Sequence, residues 1–86
     1  MHVSFSLTDD GRLLAAYFKV REGTVHKTVE AKEGDCFLDL DPEGNLLGVE
    51  VIGSRPMLDV LTEVADRYRG LPLRAAAESV RRVLAA

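Results

Sequence analysis

Apolar and polar residues alternate with a period of two through most of the first 52 residues. Val3, Phe5 and Leu7 fall on one side of the segment 2–7, and small or polar residues fall on the other. The same alternation recurs in residues 13–21, 24–31, 36–41 and 46–52. This pattern is typical of strands that bury one face. The sequence therefore predicts about five strands.

Short polar turns that contain glycine separate these predicted strands, at residues 8–11, 21–23, 32–35 and 41–44. In the last of these, Pro42 stands at the second turn position and Gly44 at the fourth, as a β-turn favours. We group Gly48 with these two as structural turn residues. Because short connections join antiparallel neighbours, the simplest topology is an antiparallel meander with one solvated face.

The hydrophobic period changes after residue 53. Apolar residues between Met57 and Tyr68 recur at helical spacing, and a second stripe follows Pro72, formed by Leu73, Ala76, Ala77, Val80 and Leu84. Two short amphipathic helices must bury their apolar sides, and the apolar face of the sheet is the available surface. We expect an α+β fold in one domain over 1–86, with a β-meander over 1–52 and a helical tail over 53–86 packed on one face.

Composition and charge exclude several classes of protein. The 86 residues carry 11 Lys and Arg against 14 Asp and Glu, and this net charge of −3 argues against a general nucleic-acid binder. No apolar run is long enough to cross a membrane, and the N-terminal segment does not resemble a signal peptide. Cys36 has no second cysteine to pair with, so we expect a reducing, cytoplasmic location and a buried, inert thiol. No cofactor motif is present in the sequence.

Residues 39–50 match a calcium-binding loop in outline. Asp39, Asp41 and Glu50 stand at positions one, three and twelve, and Gly44 stands at position six. Such a loop needs a helix on each side, whereas strand-like segments flank this one. We therefore interpret the three carboxylates as a solvated acidic face without a metal. Weak divalent-cation binding, or metal-assisted hydrolysis by these residues, is the alternative.

Two segments carry a family resemblance. Residues 25–30 contain Thr-Val-Glu, and residues 39–52 contain Gly44, Gly48 and Glu50 at a fixed spacing. Together they resemble the small prokaryotic domain-of-unknown-function family numbered 2283. The resemblance covers most of residues 2–52 and does not extend into the tail from Gly53. It implies a small β-rich fold without an established reaction, and some members look like partners of small toxins.

A small core and sheet edges that carry little proline or inward-pointing charge favour a non-enzymatic function. The first hypothesis is a protein-interaction module that forms a homodimer or binds a small protein partner, with no catalytic residue and no membrane contact. An antitoxin-like regulator of a small partner protein is the second. A metal-binding or metal-assisted hydrolytic protein that uses Asp39, Asp41 and Glu50 is the third.

Overall fold

Five antiparallel strands form one sheet, and two helices follow them along the chain. The computed structural model describes residues 1–31, 34–52, 57–68 and 70–85. The strands are β1 (His2–Leu7), β2 (Leu13–Lys19), β3 (Lys27–Ala31), β4 (Cys36–Leu40) and β5 (Leu46–Ile52). The helices are α1 (Met57–Arg67) and α2 (Leu73–Ala85). The α+β class that the sequence predicts is confirmed.

The strand order is β1-β2-β5-β4-β3, so β5 lies at the centre of the sheet. In a meander with strands in sequence order, β2 would pair with β3, but here it pairs with β5, and Ala16 lies opposite Val51. Hydrophobicity explains the difference. β5 is apolar at five of its seven positions and is buried along most of its length, whereas β3 has exposed residues and lies at an edge. The most apolar strand therefore takes the most buried place.

The connection from β2 to β3 crosses the end of the sheet over residues 20–26. The Val20 N–H donates to the Leu47 carbonyl at 2.8 Å, and the His26 N–H donates to the Leu40 carbonyl at 2.8 Å. Gly23 lies close to Leu47, because a Cβ at this position would come within 2.7 Å of Leu47 Cδ2. The crossing segment is thus fixed by backbone bonds to the β4–β5 hairpin.

One face of the sheet and the inner sides of both helices form the core. Its largest fully buried side chains are Phe18, Leu38, Leu61, Val49, Val51, Val80 and Cys36. On α1 the residues Val60, Leu61 and Val64 are buried, as helical spacing predicts. The described part of the chain places no element over the opposite, outer face of the sheet.

A register shift between Ser6 and Leu7 interrupts the pairing of β1 with β2. Ser6 pairs with Ala15 and Leu7 with Leu13, so Leu14 has no partner in the register. The alternation predicts Leu14 on the core face, but its side chain is 50% exposed, and Leu13 packs against the core instead. The extra residue in the bulge shifts the alternation by one position.

The turn between β4 and β5 has the predicted geometry. The Gly44 N–H donates to the Asp41 carbonyl at 3.0 Å, and Gly44 has a φ of +84°. Pro42 occupies the second position, where its fixed φ suits the turn. The grouping of Gly48 with these turn residues is wrong, because Gly48 lies inside β5 and pairs with Asp39.

Candidate functional site

Polar and aromatic side chains of the three central strands meet on the outer face of the sheet. Tyr17 of β2 lies opposite Glu50 of β5, and Glu50 lies opposite Phe37 of β4. Two residues further along β4, on the same face, Asp39 lies opposite Thr28 and Gly48. We call Tyr17, Thr28, Asp39 and Glu50, with Gly48 beneath them, the outer-face cluster.

Asp39 is the acceptor at the centre of the outer-face cluster. The Tyr17 hydroxyl donates to Asp39 Oδ2 at 2.8 Å, and the Thr28 hydroxyl donates to Asp39 Oδ1 at 2.7 Å. Each carboxylate oxygen thus has a donor, and the donors come from strands on opposite sides of Asp39. The sequence predicts a solvated Asp39, but this residue is half-buried and hydrogen-bonded.

The missing side chain of Gly48 makes this contact possible. A Cβ at position 48 would overlap the hydroxyl and ring of Tyr17. The tyrosine ring therefore lies across the backbone of β5 and reaches from β2 to β4, although two strand spacings separate them. Tyr17 and Thr28 are not among the site residues predicted from the sequence. The signal for this site is a glycine inside a largely apolar strand, which indicates a close approach to the backbone.

The environment of Tyr17 disfavours its ionised form. Burial raises the pKa of the hydroxyl, and the hydrogen bond and negative charge of Asp39 and the charge of Glu50 raise it further, to about 12. The hydroxyl therefore remains a protonated donor at neutral pH. A protonated hydroxyl donates a hydrogen bond and is a weak nucleophile.

Asp41 lies in the β4–β5 turn and has a structural role there. Its Oδ1 accepts from the backbone N–H groups of Glu43 at 3.0 Å and Asn45 at 2.8 Å, and its Oδ2 accepts from Asn45 Nδ2 at 3.1 Å. Burial raises the pKa of Asp41, but the bonds from Asn45 and Glu43 and the charge of Arg21 outweigh it, so the pKa is lowered overall. Asp41 is 9% exposed, so the expectation of a solvated carboxylate is wrong for this residue.

The three carboxylates that the sequence singled out do not form a common site. Asp39 and Glu50 both lie beside Tyr17 on the outer face, whereas Asp41 is directed into its own turn. Within residues 1–31, 34–52, 57–68 and 70–85, no three His, Cys, Asp or Glu side chains converge as metal ligands. The calcium-loop spacing of residues 39–50 thus folds as a β-hairpin.

Cys36 is fully buried on the core face, as its alternation with Leu38 and Leu40 predicts. Burial raises the pKa of its thiol to about 11, so the reactive thiolate is scarce at neutral pH. The described residues offer it no disulfide partner.

The free edge of β1 is the second candidate site. Backbone bonding runs from Val20 to Leu47 and continues through the pairs Phe18–Val49 and Ala16–Val51. Bonded and non-bonded pairs alternate in antiparallel sheets. The even-numbered residues of β2 bond to β5, so its odd-numbered residues bond to β1, at His2, Ser4 and Ser6. The N–H and C=O groups of Val3 and Phe5 therefore point away from β2, toward an edge on which no described strand pairs.

The two sheet edges differ in their chemistry. β1, with the sequence HVSFSL, carries no Lys, Arg, Asp, Glu or Pro. Exposed Leu7 and Leu14 lie at one end of this edge region, and exposed Met1 lies at the other. β3, at the opposite edge, carries the exposed charged residues Lys27 and Glu30. Charged side chains protect an edge from pairing with another chain, so β1 is the less protected edge.

Comparisons of the chain with protein-family models, curated proteins and solved structures found no match. The resemblance of residues 2–52 to the domain-of-unknown-function family numbered 2283 stays a prediction. No helix in the described part of the chain has the length and apolar character to cross a membrane.

Proposed function

We propose that the protein is a non-enzymatic interaction module that forms a symmetric homodimer by pairing β1 with β1 of a second copy. The free edge of β1 is the observation that carries this proposal. The N–H and C=O groups of Val3 and Phe5 face outward from that edge and are available for a new antiparallel ladder. Two copies related by a two-fold axis would then share one continuous sheet.

The composition of β1 supports this pairing over pairing through β3. Two β1 strands bring no Lys, Arg, Asp or Glu side chains together. Two β3 strands would bring the charged residues Lys27 and Glu30 of both copies into the junction. Backbone hydrogen bonds supply affinity in this mode of recognition, and the flanking apolar residues Leu7 and Leu14 add area that the dimer could cover.

The outer-face cluster supports a role other than catalysis. Each oxygen of Asp39 accepts one hydrogen bond, from Tyr17 or from Thr28, and Tyr17 is held in its protonated state. These bonds join β2, β4 and β3 across the sheet. The cluster therefore makes the sheet more rigid, and β1 is an edge strand of that sheet.

The mass in solution tests the proposal. Sedimentation equilibrium at micromolar concentration should give twice the 9.4 kDa of one chain. Ser4→Lys places two ammonium groups near each other across the two-fold axis, and like charges on facing strands oppose pairing. We expect this variant to be monomeric under the same conditions. The matched control Glu30→Lys, in the opposite edge strand, should remain dimeric.

Amide hydrogen exchange locates the interface. The N–H groups of Val3 and Phe5 should become protected as the protein concentration rises, whereas the N–H of Ser4 should be protected at every concentration because it bonds to β2. A mass of one chain at all concentrations would refute the homodimer. A dimer that persists in Ser4→Lys, without protection of Val3 and Phe5, would place the interface elsewhere.

We further infer a reducing, cytoplasmic location. The buried, unpaired thiol of Cys36 supports it, since disulfides are common in small domains from oxidising compartments. Fractionation of the native cell with an antibody against the chain tests this location, and recovery in an extracellular fraction would contradict it.

A further inference from the structure

A groove lies between the two helices, and no residue of the described sheet lines it. Its volume is about 280 Å³, and its lining consists of Leu58, Thr62, Leu73, Arg74, Ala77 and Arg81. The groove is thus separate from the outer-face cluster and from the free edge of β1. Its walls come from α1 and α2, which the proposed homodimer does not use.

Two arginines form the rim of this groove on α2. Arg74 and Arg81 are seven residues apart, which is two helical turns, or about 10 Å along the axis. The side chain of Arg74 is 95% exposed, and its Nε lies 3.9 Å from Glu78, a weak ion pair. Arg81 is exposed, and no ion pair to it is found among the described residues. Both guanidinium groups are available to a ligand.

The floor between the two arginines is apolar and recessed. Ala77 lies midway between Arg74 and Arg81 on α2, and its short side chain leaves space that Leu58 and Leu73 border. The groove therefore presents a cation, an apolar recess and a second cation in line. A ligand that fits this order needs an anion, a bulky apolar group and a second anion, spaced over about 10 Å.

We propose that this groove binds an acidic amphipathic helix of a partner protein. Two carboxylates seven residues apart on that helix would meet Arg74 and Arg81, and a leucine or phenylalanine between them would enter the recess over Ala77. Charge complementarity carries the choice of partner, because arginine binds carboxylates in bidentate pairs. This inference goes beyond the proposed homodimer and does not depend on it.

A second copy of the chain fits the groove less well. Its α1 carries Asp59 and Asp66 at a spacing of seven, but the residues between them on that face are Thr62 and Glu63 rather than a bulky apolar residue. An anionic membrane is also disfavoured, since the chain carries a net charge of −3. The acidic helix of another protein can supply both the two anions and the bulky apolar residue between them that the groove requires.

Fluorescence anisotropy with a designed peptide tests the proposal. The probe is a fluorescein-labelled helix of about sixteen residues, rich in alanine and glutamine, with two glutamates seven positions apart and a leucine pair between them. We expect saturable binding by the full chain. Arg81→Glu should weaken binding about tenfold or more, because it replaces attraction with repulsion. Ala77→Leu should weaken it as well, by filling the recess.

The neighbouring residue provides a matched control. Arg82 is exposed on the same helix but does not line the groove, so Arg82→Glu makes the same change in net charge without changing the rim. Its effect on binding should be less than about twofold. A peptide with lysines in place of the glutamates should not bind. Circular dichroism should show that each variant retains its helices.

Four outcomes would overturn the proposal. The first is that the peptide fails to bind the wild-type chain. The second is that Arg81→Glu and Arg82→Glu weaken binding equally, which would indicate diffuse charge attraction. Arg81→Glu or Ala77→Leu lowers the mass of the protein alone, which would identify a second copy as the occupant. Phosphatidylserine vesicles bind with the same dependence on Arg81 while the peptide does not, which would identify a membrane. The Ser4→Lys variant should bind the peptide as the wild type does. A failure of the proposed homodimer is therefore distinguishable from a failure of the proposed groove.

Discussion

Tyr17 and Gly48 depend on each other at the scale of single residues. The tyrosine ring occupies the space that a side chain at position 48 would fill, and its hydroxyl bonds to Asp39 at 2.8 Å. A glycine inside a strand indicates a close approach to the backbone, but the sequence does not say which side chain approaches it. Their relation arises from the register that pairs Lys19 with Gly48 and Asp39 with Gly48.

We expect Gly48→Ala to destabilise the protein by about 1–2 kcal/mol, because Tyr17 must turn away and lose its bond to Asp39. The measurement is the free energy of unfolding in urea. In a Tyr17→Ala background the same change should cost nothing or stabilise β5, since alanine suits a strand better than glycine. Equal costs in both backgrounds would show that the two residues are independent.

The pKa of Tyr17 gives a prediction about pH. Its pKa is about 12 in the folded protein against an ordinary value of 10.0, so the folded state holds this proton more tightly than the unfolded state. The resulting stabilisation is fully present below a pH of about 10 and is lost as the pH rises toward about 12. Urea unfolding of the wild type and of Tyr17→Phe, compared at pH values across this window, measures the loss.

The wild type should lose more stability than Tyr17→Phe over that window, because the variant lacks the titrating hydroxyl. Ultraviolet absorbance in a Tyr68→Phe background follows the ionisation of Tyr17 directly. In that background Asp39→Asn should lower the pKa of Tyr17, since it removes a negative charge. An unchanged pKa in Asp39→Asn would contradict the arrangement of the outer-face cluster.

At the scale of elements, the β4–β5 hairpin depends on its turn. Asp41 binds three donors from Glu43 and Asn45, and Gly44 adopts a φ of +84°. The side chain of Asp41 and the positive φ of Gly44 therefore both stabilise the turn over residues 41–44. This hairpin matters to the whole sheet because one of its strands, β5, is central.

Gly44→Val should destabilise the protein by more than about 1 kcal/mol, because a β-branched residue resists a positive φ. No atom lies within 4 Å of the position that a Cβ would take, so the cost would come from the backbone rather than from a clash. Gly44→Asn is the matched control and should cost less, since asparagine tolerates the left-handed region. A urea midpoint for Gly44→Val equal to that of the wild type would contradict this account.

The elements themselves were predictable, because their evidence is local. Alternation predicted the strands, helical spacing predicted α1 and α2, and the order of Pro42 and Gly44 predicted the turn. The exposure of Leu14 was not predictable, because a bulge depends on the pairing of two strands and leaves no mark on either alone. The glycine inside β5 indicated a close approach, but the groups that meet there were not predictable, since Tyr17 and Asp39 are on strands that do not pair.

At the scale of the whole molecule, strand order decides which residues meet. Period-two alternation says which side of a strand is buried, but it does not say which strands are neighbours. The apolar composition of β5 suits its central place and the polar composition of β3 suits an edge, whereas a meander in sequence order would put β3 at the centre. Strand order depends on how much apolar surface each strand buries in the whole sheet. The lengths of the turns between successive strands do not give this information.

The central place of β5 has a consequence for how the chain is made. A ribosome releases β1, β2, β3 and β4 before the strand that separates the two pairs. Until Val49 and Val51 emerge, β2 and β4 each lack a partner on one side, and the β1–β2 and β3–β4 hairpins have no shared ladder. The nascent chain thus passes through a stage with additional open edges, when other chains could pair with it. Completion of the sheet therefore depends on the last strand to be synthesised, which then closes both open sides at once.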